Sequence, residues 1–340
     1  MMIEEFCKRM PKAELHIHLE GAIEPEMLLL LARRNEVRLP WENKQQILDA
    51  YQFTCLEDFL TLFYNGCRVL KRAEDFHDIT LAYLKRAKDD NVVHAEMFLS
   101  PQSHLANGVG WSDMLDGTLA AMEEAQFDWG ITSGLILGLQ RHRTELEAFE
   151  ILEASMPWRD KLLGIGLGGS ELGNPPGKFE RVFQAAKKRG FYLTAHAGEE
   201  GPAEYVRESV ERLGIDRVDH GNACLDDPGL VMHLAERRTP LTLCPLSNLC
   251  LNVVDSLESH PLRTMLKKGM CVTINSDDPA YFKGYINDNL VACQKALSLT
   301  EEDCLVMGRN SIEAAFLDPG LKRKYYDALV NFSRHAVAIP

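Results

Sequence analysis

No two cysteines in this chain are spaced C-x-x-C, and their number, nine, is odd. Both facts argue against a disulfide framework or a zinc ribbon and for reduced thiols, most of them small hydrophobes of a core. Long apolar runs are also missing. The longest, Met27–Ala32, is far short of the roughly 20 residues that a membrane-spanning helix needs. Met1–Phe6 carries Glu4 and Glu5 with no basic or apolar leader, so a cytoplasmic protein is the expectation. Positive charge is in deficit: Lys plus Arg is 37 against 50 for Asp plus Glu, a formal net charge of -13. That balance repels phosphate backbones and anionic lipid, which disfavours nucleic-acid and membrane partners and leaves small neutral or cationic ligands. Low-complexity segments, Ser/Gly linkers and blocks of like charge are absent, so one domain over residues 1–340 is expected. What is present, 46% hydrophobic and 26% charged residues, is ordinary globular composition.

A repeat of pattern replaces a repeat of identity. Short aliphatic runs recur at Glu14–Leu19, Val92–Leu99, Ile131–Leu139, Leu162–Gly169, Phe191–Ala197, Arg217–Asn222, Leu241–Pro245 and Cys271–Ser276. Between them lie stretches of helical periodicity, among them Glu74–Asp90, Ser112–Phe127, Thr144–Ser155, Lys178–Lys188, Pro202–Leu213, Gly229–Arg237 and His260–Lys268. Ser112 and Asp113 suggest one helix start, Pro175 and Pro176 another, and Gly190 and Gly269 follow helix ends. Eight strands alternating with helices predict an α/β fold, a TIM (β/α)8 barrel, with an open doubly wound sheet as the alternative. Extra helices are expected after strand 1, over Ile23–Arg72, and at the C-terminus, over Thr300–Phe332. The first set could cover the barrel mouth.

The polar residues gather at the strand ends. In Leu15-His16-Ile17-His18-Leu19-Glu20-Gly21, alternation puts both imidazoles on one face and the apolar set on the other. A lone strand histidine is usually a satisfied core residue, but each ring of an inward pair needs its own partner in a confined space. Thr194-Ala195-His196-Ala197-Gly198-Glu199, Val218-Asp219-His220-Gly221-Asn222 and Ile274-Asn275-Ser276-Asp277-Asp278-Pro279 bring more ionisable groups to the same rim. Each motif alone is weak; four at one rim point to a catalytic metal site. Zinc suits imidazoles plus a carboxylate with a place left for water. Of the adjacent pair Asp277 and Asp278, one binds metal and the other bonds elsewhere.

Other motifs are decoys. Gly164-Ile165-Gly166-Leu167-Gly168-Gly169 satisfies G-x-G-x-x-G, yet Asn174-Pro175-Pro176 interrupts and no acidic residue sits at the ribose position. Its glycines are expected to let the backbone approach a flat ligand. His94-Ala95-Glu96 has the H-x-E form of cytidine-type zinc deaminases without the required Pro-Cys-x-x-Cys. There is no G-x-S-x-G elbow and no Walker A sequence.

Taken together, Pro11–Gly21, His196-Ala197-Gly198-Glu199, Asp219-His220-Gly221 and Ser276-Asp277-Asp278-Pro279 resemble the adenosine/adenine deaminase family of zinc-dependent barrel enzymes, in order, spacing and strand context, over about Pro11 to Phe332. The resemblance implies one Zn2+ per chain, held by His16, His18, His196 and Asp277. It implies Glu199 as proton donor to purine N1, His220 as the residue that orients and helps deprotonate the attacking water, and Asp278 as a partner of N7. By position, the Gly169 N–H meets N3. Adenosine deaminases usually read H-x-H-L-D-G, whereas this chain has Glu20, and Gly169-Ser170-Glu171 with Asn174-Pro175-Pro176 is similar to the adenine deaminase branch. The expected reaction is hydrolysis of adenine, a small-molecule purine, to hypoxanthine and ammonia in purine salvage. Glu20, Ser170 or Glu171 is expected to close the ribose space and accept N9–H. The alternatives are adenosine deaminase, a deaminase of N6-substituted adenines with Phe59–Tyr64 lining the pocket, and, less favoured, a metal-binding regulator without turnover.

Overall fold

The computed structural model describes residues 2–337. Eight strands, β1 (Lys12–His18), β2 (Val92–Leu99), β3 (Thr132–Gln140), β4 (Gly164–Gly168), β5 (Tyr192–Ala197), β6 (Arg217–His220), β7 (Leu241–Leu243) and β8 (Val272–Ile274), form one sheet in that order. All seven consecutive pairs are parallel. The sheet closes where β8 runs out and the next residues meet β1. His18 N–H donates to Asp277 O at 2.9 Å and Asp277 N–H to His16 O at 3.1 Å. Below them, side chains complete the seam, because an orphaned backbone donor in the interior costs about 1–3 kcal/mol. Leu15 N–H donates to Asn275 Oδ1 (2.8 Å), and Ser276 N–H to Glu14 Oε1 (3.0 Å). The TIM-barrel expectation stands, and the open-sheet alternative does not.

Helices surround the barrel with their apolar faces inward, for example Ala73–Asp89, Trp111–Trp129 and Pro228–Glu236. Gly190 and Gly269 adopt φ of 82° and 73°, the left-handed geometry expected after a helix end. Ser112 does not cap its helix. The boundary residue is Gly110, and Asp113 instead accepts the Ala73 N–H of the neighbouring helix. All nine cysteines are free and buried or half-buried. No helix among the described residues is long and apolar enough to cross a membrane.

Two additions to the repeat matter. After β1 the chain makes a short 3-10 turn (Glu20–Ala22) and the helices Pro25–Arg34, Lys44–Ala50 and Leu56–Cys67 before the Ala73–Asp89 helix. The last of the three crosses the open end of the barrel with Phe59, Leu60, Phe63 and Tyr64 turned to the interior. At the C-terminus, Glu301–Ala314 packs against β1 and β8, the seam of the barrel. The opposite end is plugged. His94 and Glu96 lie there, with Glu96 Oε2 2.6 Å from Arg217 Nη1 and the guanidinium over the Phe316 ring, so the H-x-E sequence serves the barrel floor.

Candidate active site

His16 and His18, two residues apart on β1, do point the same way, and His196 from the end of β5 meets them. His196 Nε2 lies 3.1 Å from His16 Nε2 and 3.2 Å from His18 Nε2. Asp277 Oδ1 stands 3.3 Å from His16 Nε2 and 3.4 Å from His18 Nε2. The outer nitrogens decide what the inner ones present. Thr242 Oγ1 donates to Asp219 Oδ1 (3.0 Å), so it accepts from His16 Nδ1–H (3.0 Å). His196 Nδ1 faces Asp219 Oδ2 at 3.4 Å. With their protons on Nδ1, His16 and His196 turn bare Nε2 lone pairs toward each other and toward a carboxylate oxygen. Such a cluster repels itself unless a cation lies at its centre. Zn–N bonds of about 2.0–2.1 Å set neighbouring ligand atoms roughly 3–3.5 Å apart, the range of these spacings, and a catalytic ion keeps a further position for water.

A second group, His16, His220, Cys244 and Asp277, also brings ligand atoms close enough for a metal. Its spacing is looser, with His220 Nε2 3.9 Å from Asp277 Oδ2, and burial pushes the Cys244 thiol well up. The tighter set is the better cation site. Asp219 supports it from behind: burial opposes its ionisation, yet His196, His16 and Arg217 hold its carboxyl below the ordinary range. Such partners fix the tautomer and orientation of ligating imidazoles. The ring of Phe98 stacks on His18 with centroids 5.0 Å apart.

Above this cluster stand three groups without protein partners or nearly so. His220 and Asp277 both take positive φ, 62° and 63°, a left-handed geometry that costs a non-glycine residue on the order of 1 kcal/mol. The twist at the end of β6 turns the His220 ring inward, where both nitrogens are buried without a hydrogen bond. Its Nε2 lies 3.5 Å from Glu199 Oε2. Burial depresses the His220 basicity well below the usual imidazole value, so the ring is a neutral base. Burial, and then the Asp277 charge, push Glu199 well up, so its carboxyl holds a proton. The same two causes, in the same order, raise Asp278, whose Oδ1 is buried without a partner.

The void over these groups has two lobes of about 40 Å³ each, sharing His18, Phe59, Leu60, Gly169 and Asp278. One lobe reaches Glu199 and His220, the other Ser100, Gln140 and Tyr64. Gly169, at φ 87°, stands at the junction. Of the glycine run before it, Gly164 and Gly166 serve packing rather than a ligand. A methyl there would lie 2.4 Å from Tyr192 O and 2.6 Å from the Phe98 ring.

The residues expected at the ribose space go to three different places. Glu20 is buried; its Oε1 accepts from Ser100 N–H (2.8 Å) and pairs with His104 Nε2 (2.9 Å), while Oε2 has no partner. Burial works against its charge, but His104 and Ser100 hold the carboxyl below its usual value, so Glu20 is an anion. Ser170 is on the rim, donating to Glu57 of the Leu56–Cys67 helix, and lines neither lobe. Glu171 is buried behind the wall, where it accepts backbone N–H groups of Gly198–Gly201 instead of facing a ligand. Sequence reasoning gave no role to His104, Asp219, Thr242, Arg141 or Phe98. Asp219 stood within a quoted motif, two residues from Arg217 on the same face of β6, and that spacing was the available signal.

The sequence profile of the family described as adenosine deaminase matches residues 11–332. An adenine deaminase of Rhodopseudomonas palustris is 50% identical over 337 residues, covering 99% of this chain and 98% of that protein. The crystal structure of an adenine deaminase from Arthrobacter aurescens superposes with a TM-score of 0.94 at 40% identity, covering 96% of this chain and 99% of the other. An amidohydrolase from Burkholderia ambifaria, crystallised with bound Zn, superposes at 0.91 with 31% identity, covering 98% and 94%.

Proposed function

The chain belongs to the adenosine deaminase family, and on that premise we propose that its site hydrolyses the amino group of adenine, releasing hypoxanthine and ammonia. The observation that carries the reading is the convergence of His16, His18, His196 and Asp277 beneath a lobe that holds Glu199, His220 and Asp278 and is walled by Leu56, Phe59, Leu60 and Phe282. We assign the four converging groups to one Zn2+; a relative crystallised with zinc supports that choice. Bound there, the ion supplies Lewis acidity, which brings water deprotonation near neutral pH.

The protein's own groups do the rest. His220, neutral and unpartnered, orients the attacking water and takes its proton. Attack at C6 drives electron density onto N1, where the protonated Glu199 carboxyl donates. N7 is an acceptor, so it needs a donor, and a carboxyl raised above all by burial makes Asp278 that donor. Gly169 N–H is assigned to N3. Phe59, Leu60 and Phe63 exclude water from the ring and keep the site's dielectric low, which maintains both raised acids.

The free base is favoured over the nucleoside by Glu20. Glu20 lines neither lobe, but it sits behind Ser100, which does, and its unpartnered Oε2 is a buried anionic acceptor suited to N9–H, a proton that a nucleoside lacks. A site built around such a hydrogen bond rejects the analogue without it strongly. The nine free cysteines suit a reducing compartment, the cytoplasm. Steady-state ammonia release from adenine, adenosine and N6-methyladenine tests the assignment. Adenine should lead by at least about 100-fold; equal turnover of adenosine would overturn it.

A further inference from the structure

Glu171 is 1% exposed and touches neither lobe of the void. Its Oε1 accepts the Gly198 N–H at 2.7 Å. Its Oε2 accepts those of Glu199 (3.0 Å), Glu200 (2.8 Å) and Gly201 (2.8 Å). Four successive backbone donors therefore close on one carboxylate. The turn that allows this needs little bulk at its ends. Gly198 has φ 69°, and a methyl on Gly201 would sit 2.7 Å from Glu171 Oε1. Buried Arg141 braces the opposite side, with Nη1 3.8 Å from Glu171 Oε1 and 2.6 Å from the His196 carbonyl oxygen to which it donates.

An isolated fold-stabilising carboxylate would have no reason to gather the backbone of this particular turn, whose second residue carries the acid. We propose that Glu171 is a positioning residue: by holding the Gly198–Gly201 backbone it aims the Glu199 carboxyl at the ring nitrogen. The inference rests on Glu199 being the proton donor. It makes Glu171 act on turnover rather than on substrate binding, because no atom of Glu171 faces the void. A loss of aim of about 1 Å costs on the order of 100-fold in rate.

The test is a cycle of Glu171→Gln, Glu199→Gln and the double variant, each metal-loaded, with zinc content, kcat, KM and hypoxanthine inhibition measured. Glutamine keeps the shape of Glu171 but turns one acceptor oxygen into a donor facing backbone N–H groups. Glu171→Gln should lose about 100-fold in kcat, with zinc content, KM and hypoxanthine inhibition close to those of the parent. In the Glu199→Gln background the same change should cost nothing further. Unchanged kcat in Glu171→Gln, or losses that multiply in the double variant, would overturn the inference. Full activity of Glu199→Gln alone would instead overturn the assignment of the acid. Should Glu171→Gln fail to fold, Gly201→Ala decides by the same criteria, since its methyl, 2.7 Å from both Glu171 Oε1 and the Tyr205 ring, parts the carboxylate from the same turn.

Discussion

An alanine at Gly21 would carry its methyl carbon to 1.9 Å from Asp278 Oδ1 and 2.5 Å from its Cγ. The backbone would accept the change, because Gly21 lies in the Glu20–Ala22 3-10 turn and is not among the residues with positive φ. The whole cost therefore falls on Asp278, whose Cβ, 2.6 Å from the added methyl, must shift with its carboxyl. Ordinary van der Waals contact begins near 3.4 Å, so the carboxyl oxygen must retreat by about 1.5 Å. That distance takes a hydrogen bond from good to absent. Losing the bond from a protonated carboxyl leaves N7 a buried, unpaired acceptor, which costs about 1–3 kcal/mol. At 1.36 kcal/mol per decade the expected loss in kcat/KM is about 5- to 160-fold. The assay is initial-rate ammonia release from adenine, with zinc content and melting temperature measured on the same preparation. A folded, zinc-replete Gly21→Ala protein with parental kcat/KM would refute the placement of Asp278 at the substrate.

Three further outcomes follow from the same geometry. Glu199→Gln should retain its zinc and lose nearly all turnover, read by metal analysis beside ammonia release, since an amide cannot pass a proton to N1. Glu20→Ala should lower kcat/KM for adenine and leave that for adenosine nearly unchanged, so the ratio of the two shrinks; an unchanged ratio would remove Glu20 from base selection. His260 predicts an acid limit. Its Nδ1 accepts from Leu262 N–H (3.2 Å) and its Nε2 donates to Asn248 Oδ1 (3.1 Å), and burial lowers its pKa from 6.5 to about 4. The unfolded chain then binds this proton first, so stability falls as pH drops from 6.5 through 4, by up to about 3 kcal/mol. Denaturation curves of the parent and of His260→Asn across that range should diverge in slope; parallel curves would count against it.

The barrel was readable because its period survives in the sequence. All eight aliphatic runs became strands, with boundaries moved by a few residues at most. The pairing of His16 and His18 was readable for a related reason: they share one strand, so their common face follows from alternation alone. Asp277 and Asp278 left one ambiguity, resolved by the seam. Asp277 shares backbone hydrogen bonds with His16 and His18, which puts its carboxylate beside their rings. What stayed hidden depends on contacts distant in sequence. Glu171 is 27 residues from Gly198, and nothing local in Ser170-Glu171-Leu172 says that its carboxylate turns away from the ligand. Likewise Ser170 finds Glu57 only because the Leu56–Cys67 helix folds across the mouth. Residues reading as one motif were divided among the rim, the wall and the support behind it.

Purified protein offers the most direct test of the central claim: zinc stoichiometry and ammonia release from adenine, measured before chelation, after it and after zinc is restored. One zinc per chain is expected, with turnover lost on its removal and recovered on readdition, and with His16→Ala, His196→Ala and Asp277→Ala each failing to recover. Full turnover by metal-free protein, or zinc retained at parental affinity by those variants, would contradict it.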